Sequence, residues 1–212
     1  MGLSPLQRLF QDPRVLALYE RGRESLLFRP VTGRSLDEEV AEILAAVDDG
    51  AGPHVLDLGC GQGTFAVEVA LARPTFHVTG LDISPSQLDR ARRKAAVAGG
   101  GVSFVLADAA RMPFPDASFG AAFSMTSLHQ MPDQPAVARE LARVCLPGAL
   151  LFGACIARPR AAGPLTRRTQ ALAGVWPLES DRWGELLEQA GFRDYRYEQR
   201  SPVWGAFEAR RA

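Results

Sequence analysis

The sequence predicts an α/β fold: a doubly wound, mostly parallel sheet that ends in an antiparallel hairpin. Short apolar strands alternate with helical segments from residue 54 to residue 156, which implies right-handed crossovers between parallel strands. A glycine-rich turn joins the first of these strands to its helix. The last two strand patterns are separated by only Ser201 and Pro202, and so short a link requires an antiparallel pair.

Capping residues and glycines set the expected helix bounds. Ser35 and Glu38 form a capping box, in which each side chain satisfies a free backbone N–H, and Gly50 ends that helix. Ser84 is the expected cap of another helix, with Pro85 in its first turn. The expected strands are 54–58, 77–83, 102–107, 119–125, 149–156, 192–200 and 203–210. The expected helices are two short ones within 4–30, then 35–50, one from the glycine turn to 72, 84–98, 135–144 and 180–190.

Composition argues against several classes of function. Lysine and arginine together number 24, as do aspartate and glutamate, so the chain lacks the general cationic excess by which proteins hold nucleic acids. The cysteines show no CxxC spacing and are odd in number, so we expect no metal site and no disulfide framework. Reduced thiols and the lack of a secretory signal or of a membrane-spanning apolar run indicate a cytoplasmic protein.

The strongest local signal is the segment VLDLGCGQG, residues 55–63. Its glycines lie where a strand enters a helix and allow a ligand to approach the backbone closely. Gly61, Gly63 and Ala66 also fit the GxGxxG/A pattern of nicotinamide dinucleotide sites. Asp57 favours a different ligand, because a carboxylate before the glycines repels a pyrophosphate and attracts a cationic group such as an ammonium. The alternative is that Asp57 caps backbone N–H groups of the glycine loop.

Two more aspartates follow the next two strands. Asp82 ends the second strand, where a carboxylate can accept hydrogen bonds from both hydroxyls of a ribose. It also suits the N-terminus of the following helix. Asp108 follows the third strand and can accept from the exocyclic amine of adenine, or it can be an ordinary turn residue. Acidic residues at three successive strand ends together predict one nucleoside site with a cationic part.

Together with GLDIS, ADAARMPFPDASFGAAF and LHQMPD…ELARVCLPGALL, this segment resembles the class I S-adenosylmethionine-dependent methyltransferases. The most similar type is the small-molecule one that includes the ubiquinone and menaquinone C-methyltransferases. The resemblance spans about residues 35 to 210 and implies a Rossmann-like fold, S-adenosylmethionine as cofactor, S-adenosylhomocysteine as product, and methyl transfer to a small molecule by in-line displacement.

The resemblance assigns roles to individual residues. The methionine part of the cofactor is expected at Asp57, Gly59, Cys60, Gly61 and Gly63, with Cys60 acting through its backbone. The ribose and adenine are expected at Asp82, Ile83, Asp108 and Ala109, and the methyl donor near Ser124 and Met125. Relatives often carry LHH after the fourth strand, where this chain has LHQ. An NPPY-like sequence, which accompanies methylation of nucleic-acid bases, does not follow that strand.

His129 is the candidate general base, with a packing role beside the cofactor as the alternative. Tyr19 and Met125 are further candidates for the acceptor pocket, although a surface tyrosine is the simpler explanation of Tyr19. His54 and His77 begin strands and therefore lie at the opposite edge of the sheet.

The chain is expected to form one domain over residues 1–212. Its expected parts are an N-terminal helical lid (1–34), a cofactor-binding core (35–157), a substrate-side insertion (158–179), and a final helix with the hairpin (180–212). Arginines in the lid and the insertion suit either an anionic acceptor or a solvated surface. Two alternatives remain for the function: a nicotinamide-dependent reductase, and an S-adenosylmethionine-binding protein without catalysis. The sequence does not predict an oligomeric state.

Overall fold

In the computed structural model, the chain is described at residues 5–9, 12, 14–15, 29–99, 101–158, 168, 170, 172 and 174–212. The strands are β1 His54–Leu58, β2 His77–Asp82, β3 Val102–Leu106, β4 Phe119–Met125, β5 Cys145–Arg158, β6 Leu178–Glu179, β7 Phe192–Ser201 and β8 Trp204–Arg211. The helices are α1 Pro5–Leu9, α2 Arg29–Thr32, α3 Leu36–Asp48, α4 Thr64–Ala72, α5 Pro85–Ala98, α6 Gln134–Val144 and α7 Ser180–Ala190, with a 3-10 helix at Leu128–Gln130.

The strands form one sheet in the order β3-β2-β1-β4-β5-β8-β7, with β6 beside β5. Strands β1 to β5 are parallel where they pair, whereas β8 runs antiparallel to both β5 and β7. The predicted doubly wound sheet and its antiparallel C-terminal hairpin are therefore confirmed. Within this order β1 lies between β2 and β4, so the glycine-rich turn is near the centre of the sheet.

Helices cover both faces of the sheet because buried side chains alternate along its strands. Leu56 and Leu58 of β1 belong to the cluster that includes residues of α6 and α7. Val55 belongs to the opposite cluster, with residues of α3 and α4. Asp57 has the same parity as Val55 and is almost completely buried, so a carboxylate occupies a position that the pattern reserves for an apolar side chain.

The predicted helix caps are present. Ser35 and Glu38 form the complete capping box at the start of α3. The Ser84 side chain accepts a hydrogen bond from the backbone of Gln87, and Asp133 caps α6 in the same way. By contrast, the N-cap residue of α4 is Gly63, which has a left-handed conformation and provides no side-chain cap. The N-terminus of α4 therefore depends on other groups near the glycine turn.

Several element bounds differ from the prediction. Strand β5 begins at Cys145 rather than at residue 149, because Cys145 pairs with Phe119 before a register shift in β4. The two-residue strand β6, which is too short for a periodic pattern, was not predicted, and neither was the short helix α2. Most of the predicted lid and insertion, residues 1–34 and 158–179, lies outside the described residues, so these assignments stay predictions. None of the helices in the described part of the chain is long and apolar enough to cross a membrane.

Candidate active site

The candidate site lies where β1, β2 and β3 end side by side. The registers Leu58↔Leu81 and Asp82↔Leu106 bring the carboxyl ends of the three strands to the same edge of the sheet. Asp57 and Asp82 are close enough for the charge of Asp82 to raise the pKa of Asp57. The expected grouping of acidic residues is thus present for these two strands, and Asp108 follows the third strand two residues beyond its end.

Asp57 is a buried carboxylate with one oxygen that lacks a partner. Its residue is 2% exposed, and Oδ2 makes no hydrogen bond with any described residue. Burial raises the pKa of Asp57 well above its usual value, the charge of Asp82 raises it further, and a hydrogen bond from the Ala66 backbone N–H lowers it. Ala66 lies in the first turn of α4, so Asp57 partly serves as the missing cap of that helix. Its second oxygen has no such role, and the expected contact of Asp57 with a cationic group stays a prediction.

The glycine turn holds the backbone open beside these carboxylates. Its residues Gly59, Gly61 and Gly63 all have positive φ, at 73°, 54° and 77°. The backbone N–H groups of Gly59 and Cys60 both donate to the carbonyl of Leu81, at 2.7 and 3.0 Å, which fixes the turn against β2. No heavy atom of the described residues lies within 4 Å of the position of a Cβ at Gly61, so these residues leave the backbone open to a ligand there.

Gly59 has a different reason to be glycine. A Cβ at this position would lie 2.5 Å from the Cβ of Ser127, the second residue after β4. The Ser127 hydroxyl donates to the carbonyl of Leu58 and lies 2.6 Å from the Ser124 hydroxyl. Absence of a side chain at Gly59 therefore lets the segment after β4 pack directly against the glycine turn.

Asp82 links the glycine turn to helix α5. Its Oδ2 accepts a hydrogen bond of 2.9 Å from the Gly61 N–H, and its Oδ1 accepts one of 2.8 Å from the Ser84 N–H. Burial is the largest influence on Asp82 and raises its pKa, whereas these backbone donors lower it. The Ile83 backbone also donates to this carboxylate, and three donors leave at least one of its four lone pairs, so the helix-terminal role and a ribose contact are compatible. Ile83 follows directly and is half-buried.

Asp108 forms a tight turn after β3. Its Oδ1 accepts a hydrogen bond of 2.9 Å from the Ala110 N–H, and its carbonyl accepts one from the Arg111 N–H. The turn residue that sequence reasoning offered as an alternative is therefore present, and the carboxylate stays half-buried with its second oxygen uncommitted in these bonds. Ala109 is buried beside it. The contact of Asp108 and Ala109 with adenine stays a prediction.

Three other predicted site residues have structural contacts. The Ser124 hydroxyl is fully buried and donates to the Leu58 carbonyl, at 2.9 Å, so it joins the ends of β1 and β4. Met125 is also buried and packs in the core cluster on the α3 face. The Sγ atom of Cys60 fills the space above Gly80, and burial raises the pKa of this thiol. Their contacts with a cofactor stay predictions, and Tyr19 lies outside the described residues.

His129 lies in the 3-10 helix after β4 and is 5% exposed. Burial lowers its pKa to about 4, so the imidazole is neutral at physiological pH and is a weak base in this environment. Its Nδ1 makes no hydrogen bond within the described part of the chain. The role of His129 as general base stays a prediction. With this lowered pKa, His129 would accept a proton only from a group that becomes strongly acidic during the reaction. His54 and His77 pair at the start of β1 and β2, at the opposite edge as expected.

The segment after β4 contains residues that sequence reasoning missed. Thr126 has a positive φ of 58°, which is uncommon for a β-branched residue, and its N–H donates to the Ala154 carbonyl. This conformation turns the chain so that Ser127 reaches the glycine turn. Strain of this kind often occurs at binding sites, but nothing in the sequence SMTS indicates a positive φ.

We expect the buried His129 to make stability depend on pH. An unfolded histidine binds a proton near pH 6.5 and the folded one only near pH 4, so the unfolded state binds more protons between these values. The free energy of unfolding should therefore fall by about 2 kcal/mol between pH 7.5 and pH 5 through this residue. Denaturant unfolding of the wild type and of His129→Leu measures the difference. Parallel pH profiles of the two proteins would contradict the assignment.

Comparison with known proteins places these features in a family. Residues 55–148, which include the glycine turn and all three aspartates, match the family model described as a methyltransferase domain. The chain is 34% identical over 172 residues to the O-methyltransferase rstn1 of Aspergillus nomiae, a match that covers 77% of this chain and 73% of the relative. The chain belongs to the class I S-adenosylmethionine-dependent methyltransferases.

A second relative is the O-methyltransferase resE of Aspergillus sclerotiorum, 36% identical over 157 residues, 72% of this chain and 59% of that protein. The chain spans between about two fifths and three quarters of the length of the curated relatives that it matches. Among solved structures, that of the [4+2]-cyclase SpnF is similar to this methyltransferase, with a TM-score of 0.79 at 20% sequence identity. The superposition covers 100% of this chain and 97% of the SpnF chain. That likeness concerns the fold alone, since the fold supports more than one reaction.

Proposed function

We propose that this chain transfers the methyl group of S-adenosylmethionine to an oxygen atom of a small-molecule acceptor. The observation that carries the proposal is Asp57, a buried carboxylate whose Oδ2 has no partner in the described residues, beside a glycine turn that those residues leave open at Gly61. The names of the two O-methyltransferase relatives support oxygen as the acceptor atom. The nicotinamide-dependent reductase loses its support, because its pattern of glycines occurs here in a methyltransferase family.

The residues present fit the cofactor. Asp57 would hold the ammonium group of the methionine part of the cofactor. The positive charge of that group would compensate the negative charge of the buried carboxylate. Asp82 would accept a hydrogen bond from the ribose through a lone pair that its backbone donors leave available. Asp108 would accept a hydrogen bond from the exocyclic amine of adenine. S-adenosylmethionine, when bound, supplies a methyl group on a positively charged sulfur, which is already a good electrophile.

The chain's main catalytic task is to align the acceptor oxygen behind that methyl group and to exclude water. His129 would accept the proton that the acceptor hydroxyl releases, and the oxygen freed of that proton would take the methyl group that the bound cofactor supplies. Because the pKa of His129 is about 4, it takes the proton only as the hydroxyl becomes acidic during methyl transfer.

We also propose that the protein acts in the cytoplasm and has no nucleic-acid partner, in keeping with its balanced charge.

The test is a transfer assay with S-adenosylmethionine carrying a deuterated methyl group and a library of hydroxylated small molecules. Mass spectrometry should detect S-adenosylhomocysteine and one acceptor that gains the labelled methyl group. Tandem fragmentation should place that methyl on oxygen. Transfer to carbon or nitrogen would contradict the proposed acceptor atom. Cofactor binding without any transfer to the library would favour a non-catalytic binding protein.

A further inference from the structure

Two aromatic residues near the carboxyl edge of the sheet have ring nitrogens without a hydrogen-bond partner among the described residues. The rings of His129 and Trp204 lie edge to face, with centroids 6.3 Å apart, and the residues are only 5% and 6% exposed. His129 Nδ1 and Trp204 Nε1 make no hydrogen bond with the residues that the structure describes. Buried polar groups are nearly always paired, so two neighbouring exceptions indicate that a ligand completes them.

Both residues lie at the edge of the sheet where the candidate site was found, the edge at which β1 to β5 end. Trp204 is the first residue of β8 and pairs with Ile156, close to the carboxyl end of β5. His129 follows β4 in the adjacent position of the sheet, and its carbonyl accepts a 2.6 Å hydrogen bond from the Trp176 N–H, which holds the 3-10 helix in place. Ligands of open α/β sheets bind at this edge.

The hydrogen-bonding character of the two rings is complementary. An indole N–H can only donate, whereas a neutral imidazole has one nitrogen that accepts. Arg158, at the end of β5, pairs with Glu179 through Nη2 and donates to Gln170 through Nη1, each at 3.1 Å, while its Nε has no partner in the described residues. The described groups at the end of β5 therefore provide directional hydrogen bonds and no uncompensated charge.

We propose that Trp204 and His129 together select an uncharged acceptor that carries the reacting hydroxyl next to a second oxygen. The hydroxyl donates to His129, and the neighbouring oxygen accepts from the Trp204 indole N–H. This inference rests on the proposed function, because it assigns the acceptor to the same site. Trp204 then acts as a specificity residue, since an acceptor without the second oxygen leaves its N–H unpaired.

Trp183 provides a matched control. Its indole Nε1 is also buried without a partner in the described residues. However, Trp183 lies on α7 and packs against Phe207, with ring centroids 5.6 Å apart. Both residues belong to the core cluster on the α6 and α7 face. An unpaired indole alone therefore does not define the site, and only Trp204 combines it with His129 at the sheet edge.

The experiment uses catechol, which has two adjacent hydroxyls, and phenol, which has one, as probes. The protein is labelled with 15N at its three indole nitrogens and saturated with S-adenosylhomocysteine. Catechol should shift the Trp204 indole signal and bind roughly tenfold more tightly than phenol, the effect of one additional hydrogen bond. Trp204→Phe should abolish this preference, and Trp183→Phe should retain it and identify its own signal.

Absence of catechol binding, an unshifted Trp204 signal at saturation, or an unchanged preference in Trp204→Phe would each overturn the inference. If Trp204→Phe does not fold, Trp176→Phe and Trp183→Phe assign the Trp204 signal by elimination, so the wild-type titration still provides a result. S-adenosylhomocysteine binding is measured first by calorimetry, so that failure of the proposed function is recognised separately. The catechol titration is in that case run on the protein alone, where the same shift of the Trp204 signal is required.

Discussion

Replacement of Asp57 by asparagine is expected to weaken S-adenosylmethionine binding by about a hundredfold or more, because it leaves a buried cationic ammonium without its counter-charge. The same change should stabilise the ligand-free protein. Burial raises the pKa of Asp57, so ionising it in the folded state costs free energy that asparagine avoids while retaining an oxygen for the Ala66 N–H. Calorimetry with the cofactor and denaturant unfolding without it measure the two effects.

The pH dependence of the free energy of unfolding provides a further test of the raised pKa of Asp57. Its folded pKa lies above the unfolded value, so the ligand-free wild type should lose stability through this group as pH rises from about 4 towards the raised pKa. The Asp57→Asn variant should lack this loss. Asp48→Asn is the matched control, because Asp48 pairs with Arg73 at the end of α3, outside the candidate site. Equal cofactor affinity in Asp57→Asn and the wild type would contradict the assigned role.

Gly59→Ala is expected to lower the free energy of unfolding by about 3 kcal/mol, which combines an unfavourable positive φ with a steric clash. The added Cβ would lie 2.5 Å from the Ser127 Cβ, and moving Ser127 breaks its hydrogen bond to the Leu58 carbonyl. Gly61→Ala shares the positive φ but adds a methyl group where no described atom lies within 4 Å. It should cost only about 1 kcal/mol of stability and should weaken cofactor binding instead.

Denaturant unfolding and calorimetry of both glycine variants distinguish the two roles. Gly59 is expected to be required for the packing of the β4 segment against the turn, and Gly61 for ligand approach. Equal losses of stability in the two variants would show that backbone conformation alone explains both glycines. Unchanged cofactor affinity in Gly61→Ala would show that the ligand does not approach the turn at that point.

The sequence predicted those parts of the fold and site that depend on local signals. Apolar periodicity, the Ser35 and Ser84 caps, and the two-residue link before β8 each specify structure within a few residues. The positions of Asp57 and Asp82 followed from strand ends alone, because parallel strands end at one edge of a sheet. The strand-end rule predicts which residues lie at the site, but it does not predict their hydrogen-bond partners.

The remaining features depend on contacts between distant segments. The place of Ser124 near the methyl donor stays a prediction, whereas its hydrogen bond to the Leu58 carbonyl was not predicted, because only the packing of β4 against β1 creates it. The register shift that starts β5 at Cys145 and the left-handed Thr126 are likewise tertiary effects. Trp204 is adjacent to His129 because β8 pairs with β5, and a periodic pattern contains no information on such neighbours.

A direct calorimetric titration tests whether the carboxyl ends of β1, β2 and β3 hold one cationic nucleoside. S-adenosylmethionine should bind the wild-type protein with a stoichiometry of about one, and NADH should give no heat, because Asp57 attracts the ammonium and repels a pyrophosphate. Tight NADH binding, or no heat with S-adenosylmethionine, would contradict the account.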